Sequence, residues 1–333
     1  MTKPSPGTER DVVGLGNAIV DVLAHADDGF LVEHGLAKGA MTLIDADQAK
    51  RLYGLVSDPV ECSGGSAANT MVGLVSLGSR AGYIGKVRDD ELGGVFTRDI
   101  RAAGVAFKTA PARDGAATAR CLVLVSPDAQ RTMLTFLGAS AELSPADVDP
   151  ALIRSARVVY LEGYLWDPPP AKEAFLEAAE LAHAADRLVA LTLSDSFCVD
   201  RHREEFLDLL EHHVDILFAN EDEIVSLYRA ADFEAAVRQL NGRCRWAALT
   251  RGAAGSVILH GGTHVEVPAE HVDNVLDTTG AGDLFAAGFL HGLSRGADAA
   301  TCGRLGSIAA AEAISHFGAR PERELKQLAK AVL

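Results

Sequence analysis

Residues 188–219 open with Leu188-Val189-Ala190-Leu191-Thr192-Leu193 and close with Val214-Asp215-Ile216-Leu217-Phe218-Ala219. Between these apolar runs, residues 201–213 carry helical spacing. A short apolar run, a helix and a second apolar run form the unit of a parallel sheet, because the helix returns the chain to the starting edge. The pattern continues on both sides. Residues 157–162 read as a strand before a helix over 171–185, and 220–229 as a helix after the strand 214–219. Residues 246–250 read as a strand, followed by a hairpin over 255–267. Upstream, 11–16 is the first strand, 63–78 a helix, 81–86 a strand and 90–104 a helix. Residues 117–137 read as a hairpin with Pro127-Asp128-Ala129-Gln130 at its turn. Two helices, 280–295 and 298–317, complete the pattern. This alternation predicts one domain over 1–333, three layers α/β/α around a mostly parallel central sheet.

Composition narrows the function. The 333 residues include 48% apolar and 23% charged side chains, as in a globular domain. With 31 basic against 46 acidic residues the net charge is −15, which argues against binding the phosphate backbone of nucleic acid. Cys62, Cys121, Cys198, Cys244 and Cys302 are scattered and form no CxxC pair, so the expectation is a reduced, cytoplasmic protein without a zinc site. Residues 1–10 are polar, unlike a signal peptide. No run reaches the roughly 18 apolar residues of a membrane span.

The chemistry concentrates in Asp277-Thr278-Thr279-Gly280-Ala281-Gly282-Asp283, which runs straight into the amphipathic stretch 284–293. The spacing places the amides of Ala281, Gly282 and Asp283 at a helix N-terminus, where the helix dipole favours an anion. Glycines let the backbone approach that anion closely. A carboxylate beside a phosphate-sized pocket is repulsive unless it has a task, and taking a proton from an attacking hydroxyl is such a task.

Two familiar nucleotide motifs are missing. Gly14-Leu15-Gly16-Asn17-Ala18-Ile19 fails as a dinucleotide fingerprint at Ile19, and 82–87 lacks the spacing of a P-loop. Phosphate must therefore be held by the turn at 280–283. Asn17 and Asp21 lie four residues apart after the first strand, and a carboxylate accepts from two sugar hydroxyls at once. Ser63-Gly64-Gly65-Ser66-Ala67-Ala68-Asn69 pairs a di-glycine turn with an amide on the following helix.

Together these motifs resemble the PfkB family of carbohydrate and nucleoside kinases, and most of all its bacterial adenosine-kinase-like members. The likeness spans essentially the whole chain, including 126–139 and Tyr160-Leu161-Glu162-Gly163-Tyr164-Leu165-Trp166. It implies a ribokinase-like fold with a small β-lid from segments near 16–45 and 107–137. It implies Asp283 as catalytic base, with Gly280, Ala281 and Gly282 forming the anion hole. Asp21, Gly64, Gly65 and Asn69, with Asn17, would bind the sugar part of the substrate. Asn220, Thr250, Gly252, Gly255 and Thr278 would bind ATP, and Glu223 would organise Mg²⁺ through water. A monovalent cation such as K⁺ near 277–283 also follows from the resemblance. Phe136 and Tyr164, with Leu15 and Met41, are candidate walls for an adenine ring. Arg120 and Arg131, flanking the hairpin, are candidates to reach a phosphate when the lid closes. His316 is expected to cap or pack its helix. The expected reaction is ATP-dependent phosphorylation of a nucleoside, adenosine to AMP, with a free sugar such as ribose or fructose as the alternative acceptor. A non-catalytic nucleoside sensor would share the pocket but has no use for an intact Asp283. The partner is a small molecule, with no nucleic acid or membrane, and the protein is a monomer or a homodimer.

Overall fold

The computed structural model describes residues 9–128, 130–330 and 332. The first half of the chain runs β1 (Arg10–Leu15), β2 (Ile19–His25), α1 (Asp28–Glu33), β3 (Met41–Leu43), α2 (Ala46–Tyr53) and β4 (Val60–Gly64). It continues through α3 (Ser66–Ser76), β5 (Ala81–Ile84), α4 (Glu91–Ala102), β6 (Ala106–Phe107), β7 (Ala119–Val125) and β8 (Arg131–Phe136). Then come α5 (Pro150–Ser155), β9 (Ala156–Glu162), α6 (Pro169–His183), β10 (Leu188–Thr192), α7 (Ser196–His212) and β11 (Ile216–Asn220). The last part is α8 (Glu221–Tyr228), α9 (Phe233–Leu240), β12 (Trp246–Thr250), β13 (Ser256–His260), β14 (Thr263–Val267), α10 (Ala281–Ser294), α11 (Ala299–Ala313) and α12 (Leu325–Ala329).

Nine strands form one sheet in the order β14-β13-β12-β11-β10-β9-β1-β5-β6. From β12 to β6 every pairing is parallel, and β13 and β14 add an antiparallel edge. Strand residues alternate between two cores. Val158, Tyr160, Ala190, Ile216 and Phe218 face one layer with α3, α10 and α11. Val159, Leu161, Val189, Leu191 and Leu217 face the other with α6 to α9. Both faces are apolar, which is why these strands read as continuous apolar runs rather than alternating ones.

A second sheet of five strands, β3-β8-β7-β2-β4, stands over the strand ends. Here the alternation is two-sided. Val20, Val22, Ala24, Leu122, Leu124 and Leu134 are buried in a core with Leu52 of α2. The intervening Asp21, Leu23, Cys121, Val123, Met133 and Thr135 face a cleft.

Several elements differ from the sequence expectation, and helix caps explain most of them. The helix expected from 201 begins at Ser196, because Asp195 accepts from the Cys198 amide at 2.6 Å. Its turn breaks at His202, where φ and ψ are −120° and 20°. Asp27, Asp45 and Asp232 likewise cap α1, α2 and α9, each too short to betray itself by apolar periodicity. Strand β4 and the short helix α12 were also not anticipated, and α11 stops at Ala313 rather than at 317. Among the described residues no helix is long and apolar enough to cross a membrane.

Candidate active site

The carboxyl ends of β9 to β12 and the open face of the small sheet enclose a cleft of about 1480 Å³. A pocket for one small ligand occupies roughly 300–1,000 Å³. The cleft therefore has room for two such molecules side by side.

Helix α10 forms one end of the cleft. Its body is anchored in the core, where Phe289 is fully buried with its ring centroid 5.4 Å from Phe218 and 5.9 Å from Trp246. Truncating such a residue to Ala costs about 3–5 kcal/mol, so the helix start is held rigidly. Gly280 precedes the helix with φ +79°, and a Cβ there would lie 2.7 Å from Ala319. Among the described residues no side chain caps this helix. Ala281 was expected to offer its amide to an anion, but that amide donates to the Thr278 carbonyl at 3.2 Å and closes the turn. Among the described residues the amides of Gly280, Gly282 and Asp283 have no such acceptor. Open space lies where a Gly282 side chain would be.

Asp283 stands in the first turn of α10. Its carboxylate accepts from Ser66 Oγ at 2.6 Å and from Asn69 Nδ2 at 3.3 Å. Burial pushes its pKa up to about 6, against the lowering effect of those two donors. Ser66 and Asn69 come from α3, which starts at Gly65 with φ +96°. A Cβ at Gly65 would overlap the Asn17 carbonyl. The left-handed turn is what lets α3 begin against the β1–β2 loop.

Asp21 faces the same space from β2. A Cβ at Gly64 would overlap its carboxylate. Burial raises Asp21 to about 6, offset by Arg320 and Arg131 and reinforced by Asp283. Beneath it, Glu162 at the end of β9 is 1% exposed and accepts from the Ala67 amide (2.8 Å), Asn17 Nδ2 (2.9 Å) and the Asn17 amide (3.3 Å). Burial pushes Glu162 up to about 7. Asn17 also accepts from Ser140 Oγ at 2.9 Å, so both ends of its amide are engaged within the protein.

At the other end of the cleft, Asn220 caps α8 and exchanges hydrogen bonds with Glu223 in a capping box. Glu223 accepts from Asn220 Nδ2 at 2.7 Å and from the Asn220 amide at 3.0 Å. Burial raises Glu223 to about 7. Thr250, Gly252 and Thr278 line the cleft nearby.

Other expected site residues lie elsewhere. Gly255 turns the chain into β13, packed on the Val267 carbonyl, and does not line the cleft. Phe136 is also displaced: period two on β8 puts Arg131, Met133 and Thr135 toward the cleft and Phe136 on the opposite face with Leu134. Leu15 is buried in the helix-covered core. Tyr164 does line the cleft, its hydroxyl donating to the Ser194 carbonyl at 3.2 Å, and Met41 lines its rim. Arg120 shares the far face with Phe136 and sits over the Tyr53 ring at 5.4 Å. His316 packs on its helix, 3.3 Å from Glu312.

Four residues emerge that the sequence reading had not singled out. Ser66 and Glu162 lay inside quoted motifs but carried no assigned role. Asp277 accepts from Thr279 Oγ (2.7 Å) and the Gly318 amide (2.8 Å) and forms an ion pair with Arg131 (2.7 Å), tying the small sheet to the loop before α10. Arg320 donates from Nε to Asn69 Oδ1 at 3.3 Å. Its signal was weak, because a lone arginine after a helix usually faces solvent.

A helix start with unclaimed amides, a carboxylate beside it and a polar pocket within reach define a phosphotransferase of the α/β class. The chain belongs to the pfkB family of carbohydrate kinases, whose model matches residues 36–325. It is a kinase with the ribokinase-like fold of that family. Its structure resembles the adenosine kinase from Sinorhizobium meliloti, 50% identical, with a TM-score of 0.91 over 98% of this chain and 100% of that one. It equally resembles a probable sugar kinase from Rhizobium etli CFN 42, 47% identical, with a TM-score of 0.91 over 98% and 100% of the two chains. The 5-dehydro-2-deoxygluconokinase of Shouchella clausii is 30% identical over 93% of this chain and 91% of its own length.

Proposed function

We propose that this protein transfers the γ-phosphoryl group of ATP to the primary 5′-hydroxyl of a nucleoside, adenosine foremost. The observation that carries the reading is the position of Asp283, between the open start of α10 and the pocket that holds Asp21 and Asn69. Asp283 takes the proton of the acceptor hydroxyl. The freed oxygen bonds to the γ-phosphorus while the bond to the leaving ADP oxygen breaks. A base with a pKa near 6 is ionised at neutral pH yet basic enough to share a proton in the transition state. The amides of Gly280 and Gly282 stabilise the charge on the transferring group. Arg131, paired with Asp277, ties the small sheet to the loop before α10, and closing that sheet over bound substrates would keep water from the transfer.

A nucleoside fits better than a free sugar because of the wall beyond Asp21. Leu23, Met41, Leu43, Val60, Val123 and Met133 form an apolar surface on the cleft side of the small sheet. A purine ring uses such a surface, whereas a free sugar presents hydroxyls all round. The sugar-kinase reading retains support from the polar end of the pocket, since Asp21 and Asn69 suit any pair of neighbouring hydroxyls.

ATP lies along Asn220, Thr250, Gly252 and Thr278. The donor set near Glu223 fits a hydrated Mg²⁺, which keeps several waters and needs few protein ligands: each Glu223 oxygen accepts one bond from Asn220 and keeps a second lone pair toward the ion or its waters. When bound, the ion neutralises phosphate charge.

The test is ADP release from Mg-ATP with adenosine, other nucleosides, ribose, fructose and 2-keto-3-deoxygluconate. Adenosine should be turned over, and Asp283→Asn should lower kcat by about 10²–10⁴ while leaving nucleoside binding intact. Turnover of free sugars alone moves the acceptor to the sugar branch. Unchanged turnover in the variant refutes the mechanism.

A further inference from the structure

The loop 317–322 brings one cation, Arg320, to the acceptor end of the cleft. Its Nε holds Asn69 Oδ1 at 3.3 Å, and the other end of that amide reaches Asp283 at 3.3 Å. An amide is nearly symmetric in shape, so a donor on its oxygen decides which way it faces. Turned over, Asn69 would set its oxygen against the Asp283 carboxylate. A second nitrogen of the guanidinium, Nη2, is buried with no partner among the described residues. Burying such a group unpaired is unfavourable, and an acceptor atom relieves it. Asp21 is close enough for the two charges to act on one another, and its carboxylate makes no hydrogen bond among the described residues. A donor and an acceptor without partners thus stand together in the pocket.

We propose that Arg320 selects the acceptor: it donates to the oxygen of a secondary hydroxyl whose O–H in turn donates a hydrogen bond to Asp21, and through Asn69 it positions Asp283. The inference rests on the phosphotransfer reading above and adds the class of acceptor. Arg320 and Asp21 cancel in charge, and the charge of Arg131 is taken by Asp277. A sugar acid would therefore bring its carboxylate up to Asp21 and Asp283 with no free cation beside it. The pocket takes a neutral polyol.

The experiment measures Arg320→Gln and Arg320→Lys with adenosine, 2′-deoxyadenosine, 3′-deoxyadenosine and 2-keto-3-deoxygluconate. If the wild type prefers a free sugar, that sugar and its deoxy analogues replace the nucleosides. Arg320→Gln should raise KM for the full acceptor by about 10–100-fold, as for a lost charged hydrogen bond. For the analogue lacking the contacted hydroxyl, KM should match the wild type. Loss of the Asn69 anchor should also move the acid limb of kcat to higher pH. Arg320→Lys should recover kcat more than KM. Equal losses on every acceptor with an unmoved acid limb would reduce Arg320 to a packing role and overturn the proposal. Preference of the wild type for the sugar acid would overturn the charge argument while leaving phosphotransfer intact. Wild-type turnover of no acceptor at all would overturn both readings.

Discussion

In the proposed reaction the recognising atoms at the α10 end of the cleft belong to the main chain: the free amides of Gly280 and Gly282 and the open face at Gly282. At the small-sheet end they are side chains, Asp21, Asn69, Arg320 and an apolar row from β2, β3, β7 and β8. Main-chain recognition depends on the path of the backbone, which the fold imposes. Side-chain recognition can be rewritten one position at a time. A phosphoryl group is the same in every kinase reaction and the acceptor is not, so among relatives named for different acceptors the small-sheet end is where differences are expected.

The sharpest way to break that contrast is to put a side chain where only backbone serves. Gly282→Val puts its Cβ into the open space over the start of α10, with no atom from beyond its own turn of helix within 4 Å of that position. Its Tm should stay near that of the wild type, while kcat/KM falls by about 10²–10³, the usual loss when an oxyanion donor is blocked. Calorimetry beside steady-state kinetics checks this. A fall in Tm matching the fall in activity would mean that Gly282 serves the fold and not the phosphate.

The same contrast decides what could be read from the sequence. The parallel sheet was legible because its strands are apolar on both faces and its helices have a clear period. The start of α10 was legible because its parts are contiguous from Asp277 to Asp283. The commitment of the Ala281 amide to Thr278 was not, since it depends on how the turn closes. The acceptor pocket draws residues from positions 21, 66, 69, 162 and 320, and only the fold brings them together. Phe136 was misplaced by one step of a two-residue period, since a strand pattern gives two faces without saying which one meets a ligand. Gly255 lay in a glycine-rich turn whose role in starting β13 cannot be told from ligand contact by composition. Asn220 and Glu223, assigned by resemblance to ATP and to a metal, are also joined in a helix cap that the motif alone does not reveal.

A second, smaller effect separates function from stability at the main-chain end. Asp283, Asp21, Glu162 and Glu223 all have pKa values raised above those of free carboxyls, chiefly by burial. A carboxyl whose pKa rises on folding stabilises the folded state below its unfolded pKa, and that contribution is lost as pH climbs through the folded value. For Asp283 the window is from about 4 to about 6. Activity runs the opposite way, because the base must be ionised, so kcat should drop as pH falls below about 6. Asp283→Asn removes the titration. Its Tm relative to the wild type should therefore improve as pH is raised from 5 to 8. A constant gap would mean that Asp283 is not strained by its burial.

The smallest effects lie along the apolar row, where single contacts add little and the two faces of β8 can be compared directly. Met133 is on the cleft face and Phe136 is not. Met133→Ala removes part of the surface assigned to the purine and should raise KM for adenosine about 4–15-fold, as expected for one to two methylene groups of contact at roughly 0.8 kcal/mol each. Its KM for any free sugar that is turned over should not change. Phe136→Leu, on the far face, should alter Tm and leave both KM values alone. An adenosine KM that responds to Phe136 and not to Met133 would exchange the two faces of the sheet, and the purine would have to be sought on the other side of it.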